Sequence, residues 1–394
     1  MLDYFSKLNS DEAFRCREFP IASREIYLAN AGVCPLPRCV ADAVAEYADQ
    51  ACLGDQEAAA GAVVGSARQR AAELLDVSVE EVALIGSTSN ALSLIANGFP
   101  FESGDNMIVY RDDYPSNVYP WLALREKGVE VRFVDSSGGL GVIEPSDVLR
   151  HVDQRTRLVA LASCHFLSGC RLDLDGIGRV LRERQVAFCV DGIQTVGAFE
   201  TSLEYVDFMA ADSHKWLLGP CAAGILYVAK PWLERLRVTC WGWHNVACPG
   251  FVAADSLEFP ADARRFEPGT ANLMGLVGLE RSLRMLLEVG ISTIAADLTT
   301  KRNRIRARLQ QLGCEVLLPE LPMERVGGMI SFSPSRDAAR EVFAHLSQAG
   351  VRGSLRQERS GKAWLRFSPH FYNTDSELDR ALSCLEDSLQ LSRP

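Results

Sequence analysis

Residues 187–220 read AFCVDGIQTVGAFETSLEYVDFMAADSHKWLLGP, and the fold is decided in that stretch. AFCV at 187–190 is a short, wholly apolar run, and Asp191 follows it at once. FMAA at 208–211 is a second such run, followed by Ser213, His214, Lys215 and Trp216. Short runs without polar alternation mark strands covered on both faces. Ligands of open α/β sheets gather beyond the carboxyl ends of the strands, so Asp191 and Lys215 are expected at one edge. Working outward, similar runs stand at 82–85, 107–110, 129–134, 158–162 and 224–228. Amphipathic stretches such as 145–151 and 174–184 separate several of them. Strands alternating with helices predict an α/β domain with a mostly parallel central sheet flanked by helices.

The C-terminal part changes character. Helical runs at 276–287 and 294–312 lead to strands at 314–318 and 328–332, a helix at 340–348 and a strand at 364–368. Thr374 and Glu377 form a capping box, and Leu378, Leu382, Leu385 and Leu389 mark one face of a final helix. The expected organisation is an N-terminal segment, 1–30, packing with the small domain; a large domain, 31–275; and a smaller α+β C-terminal domain, 276–394. Residues 241–268 have little periodicity and read as a long active-site or interface loop.

Three clusters carry chemistry. A lysine in an apolar setting has a lowered pKa and is a usable amine nucleophile. Lys215 for a Schiff base and Asp191 for a ring nitrogen are what pyridoxal 5'-phosphate (PLP) requires. In IGSTSNALSLIA, 85–96, a strand ends and Ser87, Thr88 and Ser89 open a helix. That is a phosphate cradle, or simply a helix cap. In WLRFSPHFYNT, 364–374, Arg366 sits among apolar residues, as a carboxylate clamp or half of a structural ion pair.

Composition narrows the partners. The 394 residues carry 41 Lys plus Arg against 51 Asp plus Glu, a formal charge of −10, which disfavours nucleic acid. Twelve cysteines are scattered with no CxxC pair, so no metal site is expected. The start lacks the apolar core of a signal peptide, and no apolar run has membrane-spanning length. A cytoplasmic protein with reduced, mostly buried thiols and no membrane partner is the expectation.

From Tyr27-Leu-Ala-Asn-Ala-Gly32 to Tyr372-Asn-Thr374, with Asp191, Gln194 and Ser213-His214-Lys215 between, the chain resembles the class V aminotransferase family of PLP enzymes. That family, of fold type I, includes cysteine desulfurases, selenocysteine lyases, kynureninases and isopenicillin-epimerase-like proteins. The resemblance implies that Lys215 carries PLP and moves the substrate proton, Asp191 binds the pyridine nitrogen, and Gln194 the phenolic oxygen. Thr88, Ser213 and His214 would hold the phosphate, with backbone help near Ser87 and Ser89. Thr270, in RRFEPGTAN, would reach the neighbouring subunit's phosphate, implying a homodimer with shared active sites. Arg366 would bind the carboxylate of a small amino-acid-type substrate, and Asn30 would lie where the N-terminal segment closes over it.

Two departures from the family bear on the reaction. Tyr114, in YPSNVYPW, stands where desulfurases carry a histidine that stacks on the cofactor. It can stack, but with a different acid–base range. The loop before Arg366, residues 350–364, has no cysteine where desulfurases carry the persulfide-forming one. Cys34 is the substitute to weigh, against an inert buried thiol. His165, in SCHFLSG, reads as catalytic or as a hydrogen-bonding support. Trp241, Trp243 and His244 read as pocket lining or packing, and Arg352 and Arg356 as readers of a second anion or solvated charges. The expected reaction is β-elimination at a carbon–sulfur bond, with Tyr114 protonating the leaving group. Transamination stands second, then epimerisation or decarboxylation-dependent deamination, with cysteine desulfuration less favoured. A cofactor-fold protein that has lost its chemistry is disfavoured by retention of Lys215, Asp191, Gln194 and Arg366.

Overall fold

Seven apolar runs become one sheet. In the computed structural model, which describes residues 3–334 and 338–391, the strands are β2 Val82–Ile85, β3 Asn106–Tyr110, β4 Glu130–Val134, β5 Thr156–Ala162, β6 Ala187–Asp191, β7 Phe208–Asp212 and β8 Gly224–Val228; a short β1, Ile26–Tyr27, precedes them. Their order is β2-β8-β7-β6-β5-β3-β4, and only β8 runs antiparallel to its neighbours. Every residue of β3, β6, β7 and β8 is buried, which is why those runs do not alternate. Fully buried side chains such as Phe188 and Phe208 contribute about 1.5–3 kcal/mol each.

The reversal at β8 positions the site. Ile85 of β2 pairs with Gly224, and Gly224 pairs with Asp212 of β7. The turn after β2 therefore meets the carboxyl end of β7. A Cβ at Gly224 would stand 2.4 Å from the Gly86 carbonyl oxygen, so this approach needs glycine. The helix Thr88–Gly98 begins beside that contact.

A second, antiparallel sheet has the order β12-β13-β10-β9, from β9 Glu315–Val316, β10 Ile330–Ser333, β12 Ser354–Gln357 and β13 Ala363–Phe367. β11, Val351–Arg352, pairs instead with β1. Residues 350–364, expected as a loop, are thus mostly strand. Their run is short and polar, and its pairing comes from β13 and β1, far away in the chain. Thr374 and Glu377 exchange both capping-box hydrogen bonds, at 3.0 and 3.2 Å.

Two main cores are found among the described residues. The first takes the helix Leu273–Val289 and continues through Ile294 and Leu298; the second begins again at Ile305. The N-terminal segment is shared: Leu8, Phe14 and Phe19 join the first core, Ile26 and Leu28 the second. Of the twelve cysteines, all free, only five are buried, fewer than expected. No helix among the described residues is long and apolar enough to cross a membrane.

Candidate active site

A cavity of about 520 Å³ opens at the carboxyl edge of the central sheet. Asp191 enters it from the end of β6, and Lys215 from the turn beyond β7. Ser87, Thr88 and Ser89 form one wall; Ser354, Arg356 and Arg366 of the second sheet form another. Ala29, Ala31 and Gly32 border it, and Tyr114, Gln194 and His214 complete the predicted residues it gathers.

Burial pushes the Lys215 amine down to about 8, opposed by Asp191 and reinforced by Arg366 and Arg356. Burial pushes the Asp191 carboxyl up, while the Ile193 N–H at 3.1 Å and Lys215 pull it back. Lysine and acid therefore hold each other's charge in a dry site. Gln194 is locked: its Nε2 donates to the Ala31 carbonyl at 3.2 Å, and its Oε1 accepts from Trp216 at 2.8 Å. Tyr114 is 44% exposed, its ring edge-on to Phe166 at 5.4 Å and 5.2 Å from the Lys215 Nζ.

Ser87 caps the helix Thr88–Gly98, accepting the Asn90 N–H at 3.3 Å. Ser89 Oγ donates to Ser116 Oγ at 2.8 Å, and Thr88 Oγ1 accepts the Asp212 N–H at 2.9 Å. The first amides of a helix lack intrahelical acceptors and carry the positive end of its dipole, so this wall fits a phosphate. His214 Nδ1 lies 2.9 Å from Asp212 Oδ2, without the alignment of a hydrogen bond.

Arg366 is fully buried, and burial together with Arg356 pushes it down to about 9. Its Nη1 donates to the Phe166 carbonyl, but Nε and Nη2 have no partner. No carboxylate pairs with it among the described residues, so the structural ion pair is not what is found. Buried, unsatisfied guanidinium nitrogens at a cavity wall suit a carboxylate.

Four predicted residues do not line the cavity. His165 is buried behind it, its Nε2 2.9 Å from the Asp112 carbonyl and Nδ1 3.1 Å from Ser168 Oγ. Burial pushes it down to about 4, so it is a neutral prop at pH 7. Asn30 ties the N-terminal segment to Ser368 and Tyr372, at 3.0 and 3.1 Å. Ser213 turns its hydroxyl to the Pro220 carbonyl, at 2.5 Å. Thr270 is exposed, 3.5 Å from Glu57. Cys34 also stays outside, buried with its thiol pushed far up, and no cysteine lines the cavity. Nor do Trp241, Trp243, His244 or any other residue of 241–268; Trp241 and Trp243 are exposed.

Asp212, Ser116 and Phe166 were missed. Asp212 anchors the lysine turn through the N–H groups of Ser213, Ala222 and Ala223, at 2.7, 3.2 and 3.2 Å. Its place at a strand's carboxyl end, beside Asp191's, was a usable signal. Ser116 and Phe166 act through a hydroxyl and a carbonyl on distant segments, for which the sequence carries no signal.

The sequence profile of the family described as Aminotransferase class-V matches residues 26–381. A probable cysteine desulfurase of Methanothermobacter thermautotrophicus is 29% identical over 396 residues, 94% of this chain and 96% of the relative. The apo cysteine desulfurase of Thermococcus onnurineus NA1 superposes with a TM-score of 0.87 at 21% identity, over 97% and 98% of the two chains. The cystine C-S lyase C-DES, in complex with its reaction product cysteine persulfide, gives 0.86 at 21% identity, over 94% and 99%. At those identities the two structures share the fold.

Proposed function

The chain belongs to the class-V aminotransferase family of PLP-dependent enzymes, and on that premise we propose that it cleaves a carbon–sulfur bond of an amino acid by β-elimination. The observation that carries this reading is the absence of any cysteine from the cavity lining, although all twelve lie among the described residues. β-Elimination needs no thiol from the enzyme, whereas desulfuration that leaves the sulfur as an enzyme-bound persulfide does.

PLP, when bound, takes up the electron pair of a bond broken at the substrate's α-carbon. Lys215 would hold it through an amine that burial pushes down to about 8, and that amine, when free, would take the α-proton. Asp191, in a water-poor site, keeps the proton of the pyridine nitrogen; Gln194 serves the phenolic oxygen. Ser87, Thr88, Ser89 and His214 would serve the phosphate, while Ser213, its hydroxyl turned to the Pro220 carbonyl, holds the lysine turn. Arg366 receives the α-carboxylate and thereby orients the α-carbon. Tyr114 protonates the departing sulfur, and Asn30 and His165 hold the segments on either side. Thr270 serves the partner subunit's phosphate in a homodimer. The products are a thiol and an unsaturated amine that water hydrolyses to a keto acid and ammonia.

The 29% identical relative named a probable cysteine desulfurase favours a second reading, removal of sulfur from cysteine with alanine left. One experiment separates them: incubate the holoenzyme with cysteine and S-substituted cysteines and measure pyruvate, alanine and thiol. Pyruvate in step with thiol is expected. Alanine without pyruvate overturns the proposal in favour of desulfuration. Conversion of the cofactor to its amine form, reversed by a keto acid, overturns it in favour of transamination.

A further inference from the structure

We propose that the substrate carries a second anionic group, a carboxylate at the far end of its side chain, and that Arg356 receives it. The inference rests on the reading above, in which Arg366 takes the α-carboxylate.

The segment from β11 to β13 bears five cations, three of them paired. Arg352, just before β12, meets Glu25 at 3.0 Å; Arg359 meets Asp112; Lys362 meets Glu315 at 2.6 Å. Arg356 and Arg366 have no carboxylate among the described residues, and both line the cavity. Arg356 Nη1 donates only to the Leu355 carbonyl, at 3.1 Å.

Their spacing follows from register. Ser354 stands opposite Arg366, and Arg356 stands opposite Trp364. Directly opposed residues share a face, and so do residues two apart on one strand. Arg356 and Arg366 are therefore diagonal neighbours on one face, with Cα atoms about 7–8 Å apart. Two like charges so placed repel, and Arg356 contributes to the lowered pKa of both Arg366 and Lys215. One carboxylate satisfies one guanidinium; two free guanidiniums call for a substrate with two anions. The cofactor's phosphate does not fill this need, because its cradle is on another wall.

Gly32 makes room for the second group. A Cβ there would sit 3.4 Å from Arg356 Nη2, 3.8 Å from Ser354 Oγ and 3.1 Å from the Ala29 carbonyl oxygen. The N-terminal segment thus borders the cavity without a side chain pressing on that guanidinium.

The test compares two S-substituted cysteines of nearly equal size, S-carboxymethylcysteine and S-carbamoylmethylcysteine. Their apparent affinities for the holoenzyme are read from the cofactor absorbance on rapid mixing. The wild type is expected to prefer the carboxylate about tenfold or more. In Arg356→Gln the preference falls to about one, and Arg356→Lys restores part of it. A normal cofactor band in each variant shows that the fold is intact. A wild-type ratio near one, or a preference that survives in Arg356→Gln, overturns the proposal. Equal weakening of both compounds also overturns it, and makes Arg356 a second anchor of the α-carboxylate. If neither compound yields pyruvate but the ratios behave as expected, β-elimination fails and the second-anion assignment stands.

Discussion

Replacing Arg366 by methionine separates binding from stability. In the folded chain the guanidinium is fully buried and pushed down to about 9, so holding its charge there costs on the order of 5 kcal/mol at neutral pH. Its hydrogen bond to the Phe166 carbonyl offsets about 1.5–3 kcal/mol of that cost, and a long contact to the Met329 sulfur adds little. Arg366→Met removes the charge, keeps much of the stem's volume and leaves no carboxylate stranded. The Tm of the cofactor-free protein is expected to stay level or rise by a few degrees. Substrate affinity falls, because charged hydrogen bonds to the α-carboxylate are lost: about 1.5–3 kcal/mol, or roughly 10–150-fold. Calorimetry supplies the first quantity and titration of the holoenzyme with an amino acid the second. Had Arg366 been half of a structural ion pair, its loss would cost about 3–5 kcal/mol and leave affinity nearly unchanged. A marked drop in Tm with unaltered affinity would refute the reasoning.

Four further outcomes are expected. Lys215 titrates near 8 rather than its usual 10.5, so capture of PLP by the cofactor-free protein speeds up as pH rises to about 8 and levels off above it; a rise continuing to pH 10 would contradict the burial argument. The sign for stability agrees: between pH 8 and 10.5 the unfolded chain holds more protons at this lysine, so this group makes the cofactor-free protein more stable as pH rises, measurable by denaturant titration. Asp191→Asn keeps the cofactor but lowers kcat by about 10²–10⁴-fold, since the ring nitrogen loses its proton's partner; kcat within threefold of wild type would remove that role. Arg68→Met strands Glu267, which is buried against Arg68 and the Leu84 N–H, and is expected to cost about 3–5 kcal/mol in urea unfolding; a cost below about 1 kcal/mol would mean that the carboxyl relaxes to solvent.

The readable part of the molecule was the part governed by local patterning. Apolar runs ended within a residue or two of the strands they predicted, because strands covered on both faces must be apolar throughout. The 350–364 segment was not readable. Its strands are polar and short, their backbone groups satisfied by β13 and β1, and an isolated run of that kind is no different from a loop. Which core a helix joins was not readable either: the amphipathic helix Leu273–Val289 looks the same whichever core its apolar face meets.

The candidate site divides along the same line. That Lys215 and Asp191 share an edge follows from where two apolar runs stop, and that Ser87–Ser89 open a helix follows from the turn after a third. Whether a charge is free does not follow from any run. Arg352 and Arg356 stand four residues apart in the same segment, yet Glu25 neutralises one and, among the described residues, no carboxylate reaches the other. His165 is polar and near a strand end, as a catalytic group would be, but the folded chain surrounds both its nitrogens. Hydrophobic burial is a property of composition along the chain, so patterning reports it. The state of a buried charge depends on what lies within a few ångströms, and those neighbours are brought there only when the two sheets and the N-terminal segment pack together.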